Sequence, residues 1–273
     1  MRPLFAAGVD SGSTQTKGIV IDEHRRIVGR SIIDTGANTV RSAERAFVAA
    51  LADAGLARAD IAYTVGTGYG RYKISFGDTQ ITEITCHAKG AHCVFPGTRT
   101  VVDIGGQDTK AIRVGADGEV LDFVMNDKCA AGTGRFLGVA AQVLELSLDD
   151  LGPISLRSTR PVDISSTCTV FAESEILSYL AQKKKLEDVL MGMHQAIAGR
   201  TASLLRRVGM HDELTFTGGV SRNAGMVQAL TETLGVQLNV SAESQYIGAI
   251  GAAVFALERA IERSAAGAAV AQA

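Results

Sequence analysis

"DIGGQDTKAI", residues 103–112, follows the apolar pair Val101–Val102, and "DSGSTQTKGI", residues 10–19, spells nearly the same pattern close to the N-terminus. At one constant offset Asp10 matches Asp103, Gly12 matches Gly105, Thr16 matches Thr109, Lys17 matches Lys110 and Ile19 matches Ile112. The surroundings repeat as well. Residues 4–10 are apolar and close on Asp10, Lys17 to Asp22 reads as a second strand, residues 23–26 as a turn and Ile27 to Ile33 as a third strand. From Thr100 the programme restarts: strand, Asp-x-Gly-Gly turn, strand Thr109 to Val114, a turn at "GADG", strand Val120 to Met125. The repeat is therefore one of topology and not of ten residues alone.

Helical spacing of apolar residues predicts helices at about 41–54, 134–146, 170–182, 186–208 and 223–234, and a last one from Tyr246 onward. "IAYTVGTGYG" (61–70) and "LTFTGG" (214–219) read as strands running into glycine loops, 236–241 as another strand, and the tail "AAGAAVAQA" as low-complexity and frayed. The expected organisation is two α/β halves with a cleft between them, one built from residues 1–98 plus 246–273, the other from 99–245.

The chain has 273 residues, 46% hydrophobic and 21% charged, enough for one large domain or two ordinary ones. A formal net charge of −2, with no Lys/Arg cluster interleaved with aromatics, argues against a nucleic-acid partner. Residues 183–185, all lysine, read as a solvated helix face. No apolar stretch reaches membrane-spanning length and the N-terminus enters a strand, so the expected location is the cytoplasm, with no membrane partner. Four cysteines, Cys86, Cys93, Cys129 and Cys168, lie far apart without a C-x-x-C, which argues against structural disulfides there. Cys86 and Cys93 share one face of an expected helix and read as core packing; His87 and His92 beside them show no ligand spacing and receive no role.

An aspartate at a strand end, followed by a turn of glycine and small hydroxyl residues, exposes backbone N–H groups that bind phosphate, while the carboxylate can hold a hydrated Mg2+. Two such turns acting together would grip one polyphosphate and its metal. The plain alternative is a pair of ordinary glycine hairpins, against which stand the matched topology and the later Thr217-Gly218-Gly219. No Walker A loop and no G-x-G-x-x-G fingerprint is present.

The two Asp-x-Gly turns and the late Gly-Gly resemble the phosphate and adenosine motifs of the acetate kinase, sugar kinase, Hsp70 and actin superfamily. Within it, "TGYGR" (67–71), "DIGGQDTK" (103–110), "NDKCAAGTGRFL" (126–137), "STCTVFAESE" (166–175) and "TGGVSRNAG" (217–225) resemble the activator ATPases of 2-hydroxyacyl-CoA dehydratases and the ATPase subunits of ATP-dependent benzoyl-CoA reductase. The resemblance runs from about residue 7 to 257.

It implies an α/β, two-lobed actin-like ATPase fold made of a duplicated ribonuclease H-like unit, with ATP or ADP and Mg2+ in the interlobe cleft. The nucleotide would be held by Gly12, Ser13, Thr14 and Lys17 on one side and Gly105 and Gly106 on the other, with Gly218 and Gly219 beneath the adenosine; Gly132, Gly134 and Asn223 join this cofactor-binding set. Asp10, Asp103 and Gln107 form the catalytic set, either aspartate being able to hold the metal or orient the water. In this family two protomers share one four-iron four-sulfur (4Fe-4S) cluster, and the matching ligands are Cys129 and Cys168. Two thiolates per chain cannot fill a four-cysteine shell, so the ligand count suggests a dimer, of identical chains or with a paralogous ATPase subunit. Each of these cysteines precedes an expected helix whose N–H groups and positive end would stabilise cluster charge.

The implied activity couples ATP hydrolysis to one-electron transfer, from reduced ferredoxin or flavodoxin to acyl-CoA reductase or dehydratase subunits. "STQTK", "RYKISFGDTQITEITCHAKGAH" and "FPGTRTVVDIGGQDTKAI" look closer to the benzoyl-CoA reductase subunits, which places that system first and a 2-hydroxyacyl-CoA dehydratase activator second. A small-molecule kinase of the same superfamily would have no use for the paired cysteines, and a regulatory or chaperone-like ATPase would call for a separate substrate domain.

Overall fold

The computed structural model describes residues 3–164 and 169–271. The chain divides into two compact units, one of Met1–Val94, Asp117–Glu119 and Tyr246–Ala273, the other of Phe95–Ala116 and Val120–Gln245.

The first unit holds β1 (Phe5–Ser11), β2 (Gln15–Ile21), β3 (Ile27–Asp34), α1 (Thr39–Ala54), β4 (Ile61–Thr67), β5 (Thr79–Gln80) and α2 (Glu83–Val94). Its sheet runs β3-β2-β1-β4-β5, with β1 antiparallel to β2 and parallel to β4. β1 is central and buried along nearly its whole length, which is why it reads as an unbroken apolar run rather than an alternating one. α1 begins where Asn38 accepts the Arg41 N–H and ends on left-handed Gly55, and it buries Ala43, Ala46, Phe47 and Ala50 against the sheet.

The second unit repeats the order with β6 (Thr100–Ile104), β7 (Thr109–Val114) and β8 (Val120–Asn126). α3 (Gly134–Val143), α4 (Leu148–Ser155), α5 (Thr169–Ala181) and α6 (Leu186–Val208) come next, then β9 (Leu214–Thr217), α7 (Ala224–Leu234) and β10 (Leu238–Asn239). The sheet order is β10-β9-β6-β7-β8, and β6 is antiparallel to β7 and parallel to β9. Its core draws Phe136, Leu151, Leu190, Met193, Ile197 and Phe216 from helices and strands alike. α6 carries Glu187 and Asp188 in its first turn and Arg206 and Arg207 in its last, signs that complement the helix dipole. The chain then closes the first unit with α8 (Ile247–Ala271), which packs on α2 and β1.

Two differences from the sequence expectation stand out. The helix begun at Gly134 stops at Val143, and a separate helix, α4, starts at Leu148 behind a Ser147/Asp150 capping box, with Pro153 inside it. The expected strand 236–241 shortens to Leu238–Asn239. Cys168 lies outside the described residues.

Candidate functional site

In the first unit Asp10 faces Lys17 across the β1–β2 ladder and Thr67 across the β1–β4 ladder. In the second unit Asp103 faces Lys110 across β6–β7 and Thr217 across β6–β9. The register is the same in both copies, and it brings in a feature that the sequence reading missed. The strand parallel to each aspartate ends in Thr-Gly, and both glycines have positive φ, +90° at Gly68 and +88° at Gly218. A Cβ on Gly68 would stand 2.5 Å from Asp10 Oδ1, and one on Gly218 would stand 2.5 Å from Asp103 Oδ1. Each carboxylate is thus seated on a backbone that only glycine can supply, for both its angle and its closeness.

The turn after Asp10 is pinned by Thr35, whose hydroxyl donates to Gly12 O at 2.8 Å and whose N–H donates to Thr14 O at 2.9 Å. Ser13 is half-buried and Thr14 exposed, so both hydroxyls border solvent, while Lys17 is buried behind them. Cys86, at 0% exposure on α2, is pushed up to about 12 by burial, with the Asp10 and Glu83 charges adding to it; it packs as a thiol, as expected of a core cysteine. Cys93 is half-buried beside a 240 Å³ pocket lined by Arg25, Lys89, His92 and Asp117.

The turn after Asp103 is closed by the Gly105 N–H on Asp108 O at 3.0 Å, with Gln107 exposed at its tip. Lys110 Nζ reaches Asp103 Oδ2 at 3.1 Å and Asp108 Oδ2 at 2.6 Å, and the Thr217 hydroxyl lies 3.2 Å from Asp103 Oδ1. The turn's own carbonyls point to the segment after Cys129. Gly105 O accepts the Gly134 N–H and Gly106 O the Arg135 N–H, each at 2.8 Å, and the Thr109 hydroxyl donates to Gly132 O at 2.6 Å. A Cβ on Gly134 would come 2.9 Å from Gly105 O, so glycine is what lets the helix start this close.

The first N–H groups of α3 thus donate to the carbonyls of the turn. Asn223 likewise uses its side-chain oxygen to cap α7, accepting from Met226 N at 3.0 Å, while Gly218 is buried and Gly219 exposed on the preceding turn.

Cys129 is exposed. Its N–H donates to Asn126 Oδ1 at 3.1 Å and its carbonyl accepts from Asn126 Nδ2 at 2.8 Å, so one side chain clasps the residue at both backbone ends. It borders a 400 Å³ cavity together with Thr109, Asn126, Gly132, Arg200 and Arg207. Among the described residues no three His, Cys, Asp or Glu side chains gather as a metal site, and no helix is long and apolar enough to cross a membrane.

Two α/β units, each a three-stranded antiparallel meander joined to a parallel strand and each carrying the same Asp–Lys–Thr-Gly arrangement, define an actin-like ATPase. Residues 7–256 match the BadF/BadG/BcrA/BcrD ATPase family, and the chain belongs to it. It is 44% identical to the (R)-2-hydroxyglutaryl-CoA dehydratase activating ATPase of Acidaminococcus fermentans, over 94% of this chain and 98% of that one. It superposes on the activator of the 2-hydroxyisocaproyl-CoA dehydratase from Clostridium difficile with bound ADPNP at a TM-score of 0.92, with 43% identity, covering 96% of this chain and 97% of that one.

Identity to a benzoyl-CoA reductase polypeptide of Thauera aromatica is 32%, over 92% of each chain. The identities thus run against placing the benzoyl-CoA system first. The stretches that suggested it lie on the β1–β2 turn, on β5 and α2, and on β6 and β7.

Proposed function

We propose that this protein is the ATP-hydrolysing activator of a 2-hydroxyacyl-CoA dehydratase, delivering single electrons to that partner. The observation that carries the proposal is the set of three hydrogen bonds tying the Asp103 turn to the segment between Cys129 and α3. A turn that senses phosphate is thereby bonded directly to a segment that starts at an exposed thiol. A kinase has no need of that link, and the 44% identity to a dehydratase activating ATPase supports the same reading.

In this reading both Asp-Gly turns serve one nucleotide. Backbone N–H groups and the hydroxyls of Ser13 and Thr14 bind phosphate oxygens, Asp10 and Asp103 hold Mg2+ or orient the attacking water, and Gln107 borders the reacting end. Gain or loss of the γ-phosphate shifts the Gly105–Gly106 carbonyls and, through them, the start of α3 and the Cys129 loop. The residues fit a shared 4Fe-4S cluster in their chemistry: Cys129 is an exposed soft donor, and Arg200 and Arg207 border the same cavity with charge opposite to that of thiolate-bound iron. Cys129 would hold it together with Cys168, and a second protomer, identical or paralogous, would complete the four-thiolate shell. When bound, the cluster supplies a one-electron carrier fed by reduced ferredoxin or flavodoxin.

The test is iron and acid-labile sulfide in protein purified without oxygen. About four irons per pair of chains are expected, with Cys129→Ser and Cys168→Ser each abolishing the brown colour and Cys86→Ala and Cys93→Ala leaving it intact. Full iron in either serine variant would remove the reading. The 32% identity to the Thauera aromatica benzoyl-CoA reductase polypeptide keeps an acyl-CoA reductase as the second partner class to assay.

A further inference from the structure

The two aspartates share a register but are held differently. In the second unit the Asp103 carboxylate is engaged directly, by Lys110 Nζ at 3.1 Å and by the Thr217 hydroxyl at 3.2 Å. In the first unit Thr67 occupies the position of Thr217, yet its buried hydroxyl meets no nitrogen or oxygen partner among the described residues. What approaches Asp10 instead comes from α2 and α8. A Cβ built on Gly248, at the start of α8, would stand 2.8 Å from His87 Nε2 and 2.9 Å from Asp10 Oδ2. Both groups therefore border the space that a Cβ at Gly248 would fill, and the imidazole and carboxylate are at most about the span of a single bridging water apart. His87 is buried at 7% exposure and Asp10 at 7%, in a medium far less screening than water.

We infer that His87 is the positioning residue of Asp10: its Nε2 fixes the orientation of Oδ2 through one water, and the absence of a side chain at Gly248 is what admits the two groups to one space. This rests on the reading of the chain as an ATPase whose Asp10 orients the metal or the attacking water. In the step served, the water oxygen bonds to the γ-phosphorus as the bond to the β,γ-bridging oxygen breaks. ADP leaves, and the water's proton departs with inorganic phosphate. His87 touches none of these atoms; it sets the angle of the carboxylate that does. The sequence offered no sign of this role, because His87 on α2 and Asp10 on β1 border one space through Gly248 of α8 and not by spacing along the chain.

The experiment measures kcat and KM for ATP with the full chain carrying His87→Leu, His87→Gln or His87→Asn, alongside the thermal midpoint of each. Glutamine brings its amide to about the place of Nε2, asparagine to about that of Nδ1. His87→Leu and His87→Asn should lose kcat by about 10²-fold, with KM changed less than about twofold, and His87→Gln should return to within about fivefold of wild type. Wild-type kcat in His87→Leu, or equal losses in the glutamine and asparagine variants, would overturn the inference. Should His87→Leu fail to fold, the glutamine–asparagine difference still decides. A wild-type chain that does not hydrolyse ATP would instead remove the functional reading beneath it.

Discussion

Lys110 Nζ stands 3.1 Å from Asp103 Oδ2, directly across the β6–β7 ladder, and both side chains are almost wholly removed from solvent. Removing the cation leaves a buried carboxylate without its counter-charge. Lys110→Met should therefore lower unfolding free energy by about 3–5 kcal/mol in urea titrations. A loss under about 1 kcal/mol would mean that the pair is not what holds Asp103 in place.

If both turns serve one nucleotide, neither carboxylate can stand in for the other. Asp10→Asn and Asp103→Asn should each slow ATP hydrolysis by about 10²–10⁴-fold, and calorimetry should count one nucleotide per chain. Two nucleotides per chain, or a wild-type rate in either variant, would contradict this.

Gly134→Ala places a methyl carbon only 2.9 Å from Gly105 O, closer than such contacts allow, and so parts α3 from the Asp103 turn. ATP hydrolysis should persist while the electrons delivered per ATP fall by about tenfold or more. An unchanged ratio would show that the three hydrogen bonds are scaffolding and not a transmission line.

His194, on α6, is fully buried, neither ring nitrogen has a hydrogen-bond partner among the described residues, and burial pushes its pKa down from 6.5 to about 4. Its folded pKa is depressed, so the native state prefers the neutral ring. Between pH 6.5 and about 4 the unfolded chain binds the extra proton, and stability falls as pH falls. Once both states have titrated the loss approaches ~3 kcal/mol. His194→Leu should flatten that part of the stability curve, read from urea midpoints at pH 7 and pH 5. An equal acid loss in the variant would assign the effect to other groups.

Much of the fold is legible in the sequence because the Asp-x-Gly turns recur at one offset with the same strands around them. The third shared part, Thr67-Gly68 against Thr217-Gly218, escapes that comparison because α3 to α6 intervene between β8 and β9 in the second unit alone and change the offset. α4 was missed although Ser147 and Asp150 spell its capping box; Pro153 makes the stretch read as a break. The site divides in the same way. Residues fixed by local turn chemistry, such as Asp10, Gly12, Asp103 and Gly105, show themselves in the motif. Gly134 meets the Asp103 turn, and His87 borders the space beside Asp10, only across the fold, which no spacing encodes.

The account turns on ATP hydrolysis releasing an electron by way of the Cys129 segment. The most direct measurement mixes the pre-reduced protein, without oxygen, with a 2-hydroxyacyl-CoA dehydratase and follows dehydration with ATP, with a non-hydrolysable analogue and with no nucleotide. Turnover should begin only with ATP, and Cys129→Ser should hydrolyse ATP without starting it. Equal activation without nucleotide, or full activation by Cys129→Ser, would contradict the account.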